Sequence, residues 1–237
     1  MPACYGARDS KRPELKIAEL FYSLQGEGSL VGVPSVFVRT SGCNLRCGWC
    51  DTPYTSWKAE GAELSLDQIL EEVSAHPARH VVVTGGEPMI APEIVPLSER
   101  LRAAGLHITI ETAGTVFQPV ACDLMSISPK LSNSAPGHAF AAQHNRTRIQ
   151  PERLRELMSR YEYQLKFVIE RPSDLEEVRL LVDGLGADRS RVLLMAEGTD
   201  PAVLCERGRW LAEICKRENL RFSPRLHVEL WGNRRGV

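Results

Sequence analysis

The sequence predicts one α/β domain built on a mainly parallel sheet, a partial (incomplete) parallel β/α barrel. Two observations carry this. Short strand-like runs alternate with helical segments along most of the 237 residues. Several of those runs, such as Val81 to Val83 and Val192 to Met195, are apolar at every position, which suits parallel strands covered on both faces. Six central strands would leave a barrel open.

In chain order, Lys16 to Leu20 and Ser35 to Arg39 read as strands. Ser65 to Ala75 has helical spacing, with Leu66, Ile69, Leu70 and Val73 on one face and Ser65 as its N-cap. His80 to Val83 is a strand, Glu93 to Ala104 a helix ending near Gly105, and His107 to Glu111 a strand. Leu124 to Ser128 follows too closely for a long helix to intervene. Leu131 to Gln150, rich in Ser, Asn, Ala and His, reads as a long loop or lid. Gln164 to Ile169 is a strand, Asp174 to Leu185 a helix, Arg191 to Met195 a strand, and Ala202 to Glu218 a long helix. Arg225 to Leu230 reads as a final extended segment. Residues 1–14 form a variable tail and residues 15–237 a single domain.

Composition excludes some classes of function. Apolar residues make up 43% and charged residues 25%, as in an ordinary globular enzyme. Lys plus Arg number 29 against 30 Asp plus Glu, so no global positive field favours nucleic acid. The apolar runs are too short to span a membrane, and Met1 to Arg12 is polar and mixed rather than a leader, so a cytoplasmic protein is expected. Seven cysteines, an odd number, fit reduced thiols better than disulfides. Cys4, Cys122, Cys205 and Cys215 are scattered and read as packing or tail positions. Arg234 and Arg235 read as solvated charges.

Cys43, Cys47 and Cys50 fall within eight residues, in C-N-L-R-C-G-W-C, directly after the strand Ser35 to Thr40. Their thiolates therefore emerge at the carboxyl end of a strand, where barrel enzymes place their chemistry. A structural zinc site closes with four side chains, whereas a cubic iron-sulfur cluster on three cysteines keeps one iron open. Zinc with a remote fourth ligand, or no metal, remains an alternative for such a loop alone. T-G-G-E-P, Thr84 to Pro88, follows the next buried strand. Gly85 and Gly86 allow close backbone approach there, and Glu87 can accept hydrogen bonds from an ammonium group; the plainer reading is a strand-to-helix turn.

The spacing C-x-x-x-C-x-x-C, with an aromatic residue before the last cysteine, resembles the radical S-adenosylmethionine (SAM) superfamily, and T-G-G-E-P resembles its SAM-binding turn. L-Q-G-E-G (Leu24 to Gly28), C-D-T (Cys50 to Thr52), S-P-K (Ser128 to Lys130) and the ending H-V-E-L-W-G-N-R-R-G-V narrow the resemblance to the 7-carboxy-7-deazaguanine synthase family. It covers nearly all of the chain from Leu15 to Val237. A glycyl-radical activating enzyme is the nearest competitor, and the L-Q-G-E-G, C-D-T and W-G-N motifs argue against it. A zinc-organised binding module is the non-enzymatic alternative.

The resemblance implies a radical SAM fold, a 4Fe-4S cluster on Cys43, Cys47 and Cys50, and SAM as cofactor. It implies a lyase of queuosine and deazapurine biosynthesis that converts 6-carboxy-5,6,7,8-tetrahydropterin to 7-carboxy-7-deazaguanine with loss of ammonia. SAM would meet Trp49, Cys50, Asp51, Gly86, Glu87, Glu111, Ser128, Pro129, Lys130 and Met195. The pterin would meet Leu24, Gln25, Gly26, Glu27, Arg39, Thr84, His227 and the terminal carboxylate of Val237. Thr52 would help hold Mg2+, a cation that prefers hard oxygen ligands. The implied partners are an electron donor such as flavodoxin or ferredoxin and a second copy in a homodimer, with no nucleic acid and no membrane.

Overall fold

A computed structural model describes residues 13–137 and 139–237. Most of the tail expected over residues 1–14, and Cys4 with it, lies outside them. Nine strands form one sheet: β1 (Glu14–Leu24), β2 (Pro34–Thr40), β3 (Ala62–Ser65), β4 (His80–Gly85), β5 (His107–Thr112), β6 (Leu124–Ile127), β7 (Tyr163–Ile169), β8 (Val192–Ala196) and β9 (Arg221–Ser223). Their order is β3-β1-β2-β4-β5-β6-β7-β8-β9. All neighbours from β2 to β9 are parallel, β1 runs antiparallel to both β2 and β3, and the sheet does not close. The expected partial barrel is the observed one. β3 and β9 are too short and irregular in pattern to stand out in the sequence.

The helices are α1 (Pro53–Ser56), α2 (Leu66–Ser74), α3 (Ile94–Ala103), α4 (Ala141–Thr147), α5 (Pro151–Arg160), α6 (Asp174–Leu185), α7 (Pro201–Glu218) and α8 (Leu226–Trp231). Local chemistry explains their ends. Ser65 and Gln68 close a reciprocal capping box on α2, which buries Leu66, Ile69 and Val73. Asp200 caps α7 ahead of Pro201, and Gly186 ends α6 in the left-handed conformation that glycine adopts without a Cβ penalty.

Side chains alternate across the sheet with period two, and this alternation builds the site. Val81, Val83, Ile108, Ile110, Met125, Ile127, Leu165, Phe167 and Leu194 point outward into the hydrophobic core under the helices. The residues between them, Thr84, Glu111, Ser126 and Lys166, line the concave inner face. The lumen is therefore polar while the outer face is greasy.

Two sequence expectations are corrected here. Arg225 to Leu230 is not extended; it runs into helix α8, with only Val228 of that helix buried. Leu131 to Gln150 is not a structureless lid: a 3-10 turn at Ser132–Ser134 and helix α4 pack it against the cysteine loop. Among the described residues no helix is long and apolar enough to cross a membrane.

Candidate active site

The cysteine loop leaves β2 at Thr40 and is clamped on three sides. The backbone N–H of Gly42 donates to Thr55 O at 2.8 Å, and that of Glu87 donates to Gly42 O at 2.9 Å. From the third side, Gly48 N–H donates to Ser134 O at 2.9 Å, the Trp49 indole donates to Asn133 O at 3.0 Å, and Arg46 N–H donates to Nδ1 of His144 at 3.2 Å. Burial pushes the His144 imidazole below its ordinary value, keeping it neutral and able to accept that bond.

Gly86 lets the T-G-G-E-P turn lie directly on this loop. A Cβ there would stand 2.2 Å from Gly42 O and 2.8 Å from the Cβ of Cys43. The three cysteines line one cavity of about 720 Å3, with Leu45, Cys47 and Ala113 forming a small apolar cradle around them. Burial pushes the Cys43 thiol up to about 11 and the Cys47 thiol up to about 12. Three cysteine sulfurs lining one cavity are soft donors of the kind that holds an iron-sulfur cluster. The donor set thus fits an iron-sulfur cluster.

The opposite wall comes from L-Q-G-E-G. Because β1 is antiparallel to β2, this loop starts at the amino-terminal end of the parallel strands and crosses beneath the lumen. It is not a flexible glycine loop. Gly28 N–H donates to Ser223 Oγ at 2.8 Å and Ser29 N–H to Gln164 Oε1 at 2.8 Å, while a Cβ on Gly26 would fall 2.0 Å from Nδ1 of His227. The Glu27 carboxylate is held by Lys166 on one oxygen and by Arg225 Nε at 3.0 Å on the other. Arg225 also pairs with Asp51 and donates to Gly198 O at 2.5 Å. Burial alone would raise the Glu27 and Asp51 carboxyls, but Lys166 and Arg225 beside Glu27, and Arg225 beside Asp51, hold both below the usual range. Two anions and two cations thus balance around one buried arginine.

Further round the wall, Glu111 accepts from Gln25 Nε2 at 3.2 Å and from the Thr84 hydroxyl at 2.9 Å. Arg39 donates through Nε to Glu19 at 2.7 Å, and the Tyr54 hydroxyl donates to the same Glu19 oxygen at 2.7 Å. No hydrogen bond within the described residues occupies the Nη groups of Arg39, which line the cavity. Lys130 turns back onto Ser128, donating to its carbonyl at 2.9 Å and its hydroxyl at 2.8 Å.

Of the residues singled out from sequence, all line this cavity except Glu87 and Pro129. Pro129 is buried behind it. Glu87 is placed differently from the expectation: its carboxylate accepts from the Thr112 hydroxyl at 2.7 Å, Ala113 N–H at 2.8 Å and Met89 N–H at 3.1 Å. With its oxygens spent on holding β5 to the turn, the side chain is not aimed at an ammonium group in the cavity.

Lys166, Arg225, Glu19 and Tyr54 went unnoticed. Gln164 and Lys166 carry a readable signal, two polar residues two apart in an apolar strand and hence on one face. Arg225 carries none. Arg235 is exposed, as expected of a solvated charge, and it also has partners: its guanidinium lies 3.5 Å over the Tyr54 ring and Nη1 reaches Glu60 at 3.3 Å. Cys122 and Cys215 bond to backbone carbonyls away from the cluster loop, and Cys205 is exposed.

An open part-barrel carrying a three-thiol loop clasped by a glycine turn at its carboxyl edge is the architecture of the radical SAM enzymes. The Radical SAM superfamily pattern matches residues 37–132. The 7-carboxy-7-deazaguanine synthase of Halobacterium salinarum is 46% identical over 93% of this chain and 92% of its own length. That of Rhodopirellula baltica is 42% identical over 98% and 92% respectively. The crystal structure of QueE from Escherichia coli superposes with a TM-score of 0.70 at 28% identity, covering 90% of this chain and 95% of that one. The chain belongs to the 7-carboxy-7-deazaguanine synthase family, whose radical SAM chemistry uses a 4Fe-4S cluster and SAM on a small-molecule substrate.

Proposed function

We propose that the protein contracts the ring of 6-carboxy-5,6,7,8-tetrahydropterin to 7-carboxy-7-deazaguanine with loss of ammonia, and that residues 15–237 act as one domain in doing so. The observation that carries this reading is the pairing of ends in one lumen. A cluster-type thiol loop shares a cavity of small-molecule size with a polar wall that carries an ionised carboxylate and the Arg39 guanidinium, held through Nε by Glu19 with its Nη groups not hydrogen-bonded among the described residues.

Arg39 offers its two Nη groups to the substrate carboxylate, and Glu19, braced by Tyr54, keeps that guanidinium in place. Glu27 stays ionised between Lys166 and Arg225 and, with the backbone of Leu24 and Gly26, reads the pterin. His227, pushed down by burial, is neutral and presents a donor and an acceptor without adding charge. Gln25 and Thr84 are oriented by Glu111, which stands between the substrate side and the SAM side of the cavity. Val237 lines the cavity, and its terminal carboxylate accepts from the guanidine-like edge of the pterin.

On the other side, Trp49, Cys50, Asp51, Gly86, Ser128, Lys130 and Met195 form the SAM wall, with Glu87 and Pro129 supporting it from behind. The cluster, held by Cys43, Cys47 and Cys50, and SAM against this wall would supply the radical hydrogen-abstraction chemistry. Thr52, whose hydroxyl lines the cavity beside Asp51, offers a hard oxygen for Mg2+, whose role is to tie the substrate carboxylate in place. A reduced carrier such as flavodoxin or ferredoxin supplies the electron. A homodimer is inferred from the family resemblance alone, and a cytoplasmic location from the shortness of the apolar runs.

The test is anaerobic incubation of reconstituted protein with SAM, reductant, Mg2+ and carboxytetrahydropterin. The deazaguanine acid is the expected product. An intact cluster that cleaves SAM yet yields no deazaguanine would sink the substrate assignment.

A further inference from the structure

Arg225 stands where the two walls of the cavity meet. It is 7% exposed, and its planar head gives each edge to a different part of the site. Nε donates to Glu27 at 3.0 Å, Nη1 donates to Gly198 O at 2.5 Å, and Nη2 pairs with Asp51. Glu27 belongs to the pterin wall, Asp51 follows the cluster ligand Cys50, and Gly198 lies in the turn just after β8, beyond Met195. One guanidinium thus touches both sides.

Its anchoring is unequal. Arg225 opens α8, and the residues after it bind to the pterin side: Leu226 N–H donates to Gly26 O at 2.9 Å, and the His227 ring fills the space that a Cβ on Gly26 would need. Asp51 is held far less firmly. Its side chain is 39% exposed and, among the described residues, makes no hydrogen bond other than the one from Arg225. Lys166, the other cation on Glu27, bonds to neither Asp51 nor Gly198 among those residues.

We propose that Arg225 is a positioning residue through which the pterin and SAM bind cooperatively. A guanidinium is a rigid plane with its donors in a fixed fork, so Glu27, Asp51 and the Gly198 carbonyl cannot shift independently of one another. A pterin seated against Glu27 fixes that plane, and the plane fixes Asp51 and the turn at Gly198 on the SAM side. Ordering the plane costs binding free energy once, and the second ligand to arrive finds it already set. The inference rests on the pterin and SAM reading of the cavity given above.

The experiment titrates SAM by calorimetry into anaerobically reconstituted holoenzyme with Mg2+, with and without saturating carboxytetrahydropterin, the cluster being left oxidised so that SAM is not cleaved. In the wild type the pterin is expected to tighten SAM about tenfold, and SAM to tighten the pterin by the same factor. Arg225→Lys keeps a buried cation beside Glu27 but lacks the fork, so the tightening should fall to about twofold or less while iron content is unchanged. Asp51→Asn loosens the same link from its other end and should lower the factor likewise, even if Arg225→Lys fails to fold. Lys166→Met should weaken pterin binding yet keep the factor. Independent binding of the two ligands to the wild type overturns the proposal. So does a full factor in Arg225→Lys or Asp51→Asn, loss of iron in Arg225→Lys, which would make Arg225 a support of the cysteine loop, or an equal loss of the factor in Lys166→Met, which would place the coupling in the charge on Glu27. A wild type that binds SAM but no carboxytetrahydropterin sinks the substrate assignment itself, and the coupling with it.

Discussion

Gly86 sets how closely the two cofactor motifs approach. The atoms a Cβ would meet are Gly42 O at 2.2 Å and the Cys43 Cβ at 2.8 Å, both parts of the cysteine loop rather than ends of flexible side chains. Gly86→Ala therefore has to push the loop aside, at an overpacking cost of about 1–3 kcal/mol. The expected outcome is a folded protein that takes up clearly less iron on anaerobic reconstitution. Gly137→Ala, whose Cβ meets nothing within 4 Å, should load normally; equal iron in the two variants would show that the turn adapts. At this scale the sequence is legible where chemistry is local. Three thiols in one loop announce themselves. The partners of Glu27 could not be read, because Lys166 is 139 positions away and Arg225 is 198, and only the crossing of L-Q-G-E-G beneath the lumen brings them together. Glu87 shows the converse: its motif is visible in the sequence, but the direction of its side chain is set by Thr112 and Ala113 at the end of β5.

Elements were readable where burial imposes a pattern. The parallel strands carry uninterrupted apolar runs because helices cover their outer face, and α2, α6 and α7 carry both a face and recognisable ends. Helix α8 escaped because it buries one residue, Val228, so its alternating H-V-E-L reads as a strand until tertiary contacts overrule it. Those contacts bring the carboxy-terminal segment to the cavity. After α8 the chain turns at Gly232 and Gly236 so that Asn233 to Val237 line the mouth of the cavity. What fastens it there is Arg235, stacked on Tyr54 of α1 and reaching Glu60. An exposed cation–π contact contributes about 0.5–1 kcal/mol, and Glu60 on the surface adds little. Arg235→Ala is therefore expected to raise the substrate KM about two- to fivefold with iron content and uncoupled SAM cleavage unchanged, and Arg235→Lys to restore part of it. An unaltered KM in Arg235→Ala would mean that the tail is held by something else or binds no substrate.

At the scale of the whole molecule, buried histidines and carboxylates tie stability to pH. His80 and His107 lie with ring centroids 4.5 Å apart and planes tilted by 38° on neighbouring strands at the amino-terminal end of the barrel, and both Nδ1 atoms are buried without a hydrogen-bond partner among the described residues. Burial, and then the His107 ring, push His80 below its ordinary value of 6.5, against a smaller opposing pull from Asp123, itself 3.6 Å from Arg102. Burial also lowers His144 behind the cysteine loop and His227 against Gly26. Each folded-state value lies below the unfolded one, so between the two the unfolded chain binds more protons. Stability from these groups is thus fully present above the ordinary histidine range and is lost as pH falls through it. The depressed carboxyls of Glu27 and Asp51 have the same sign but act in a lower window, below the usual carboxylate range. Thermal unfolding of the holoenzyme should show Tm dropping by several degrees between about pH 7.5 and about pH 5.5, at roughly 2–4 °C per kcal/mol for a chain of this size. His80→Gln cannot charge, and it should flatten that drop while iron content at each pH matches the wild type. A variant whose Tm falls as steeply as the wild type would remove the His80–His107 pair from the account and leave acid sensitivity to the cysteine loop and the Glu27 network.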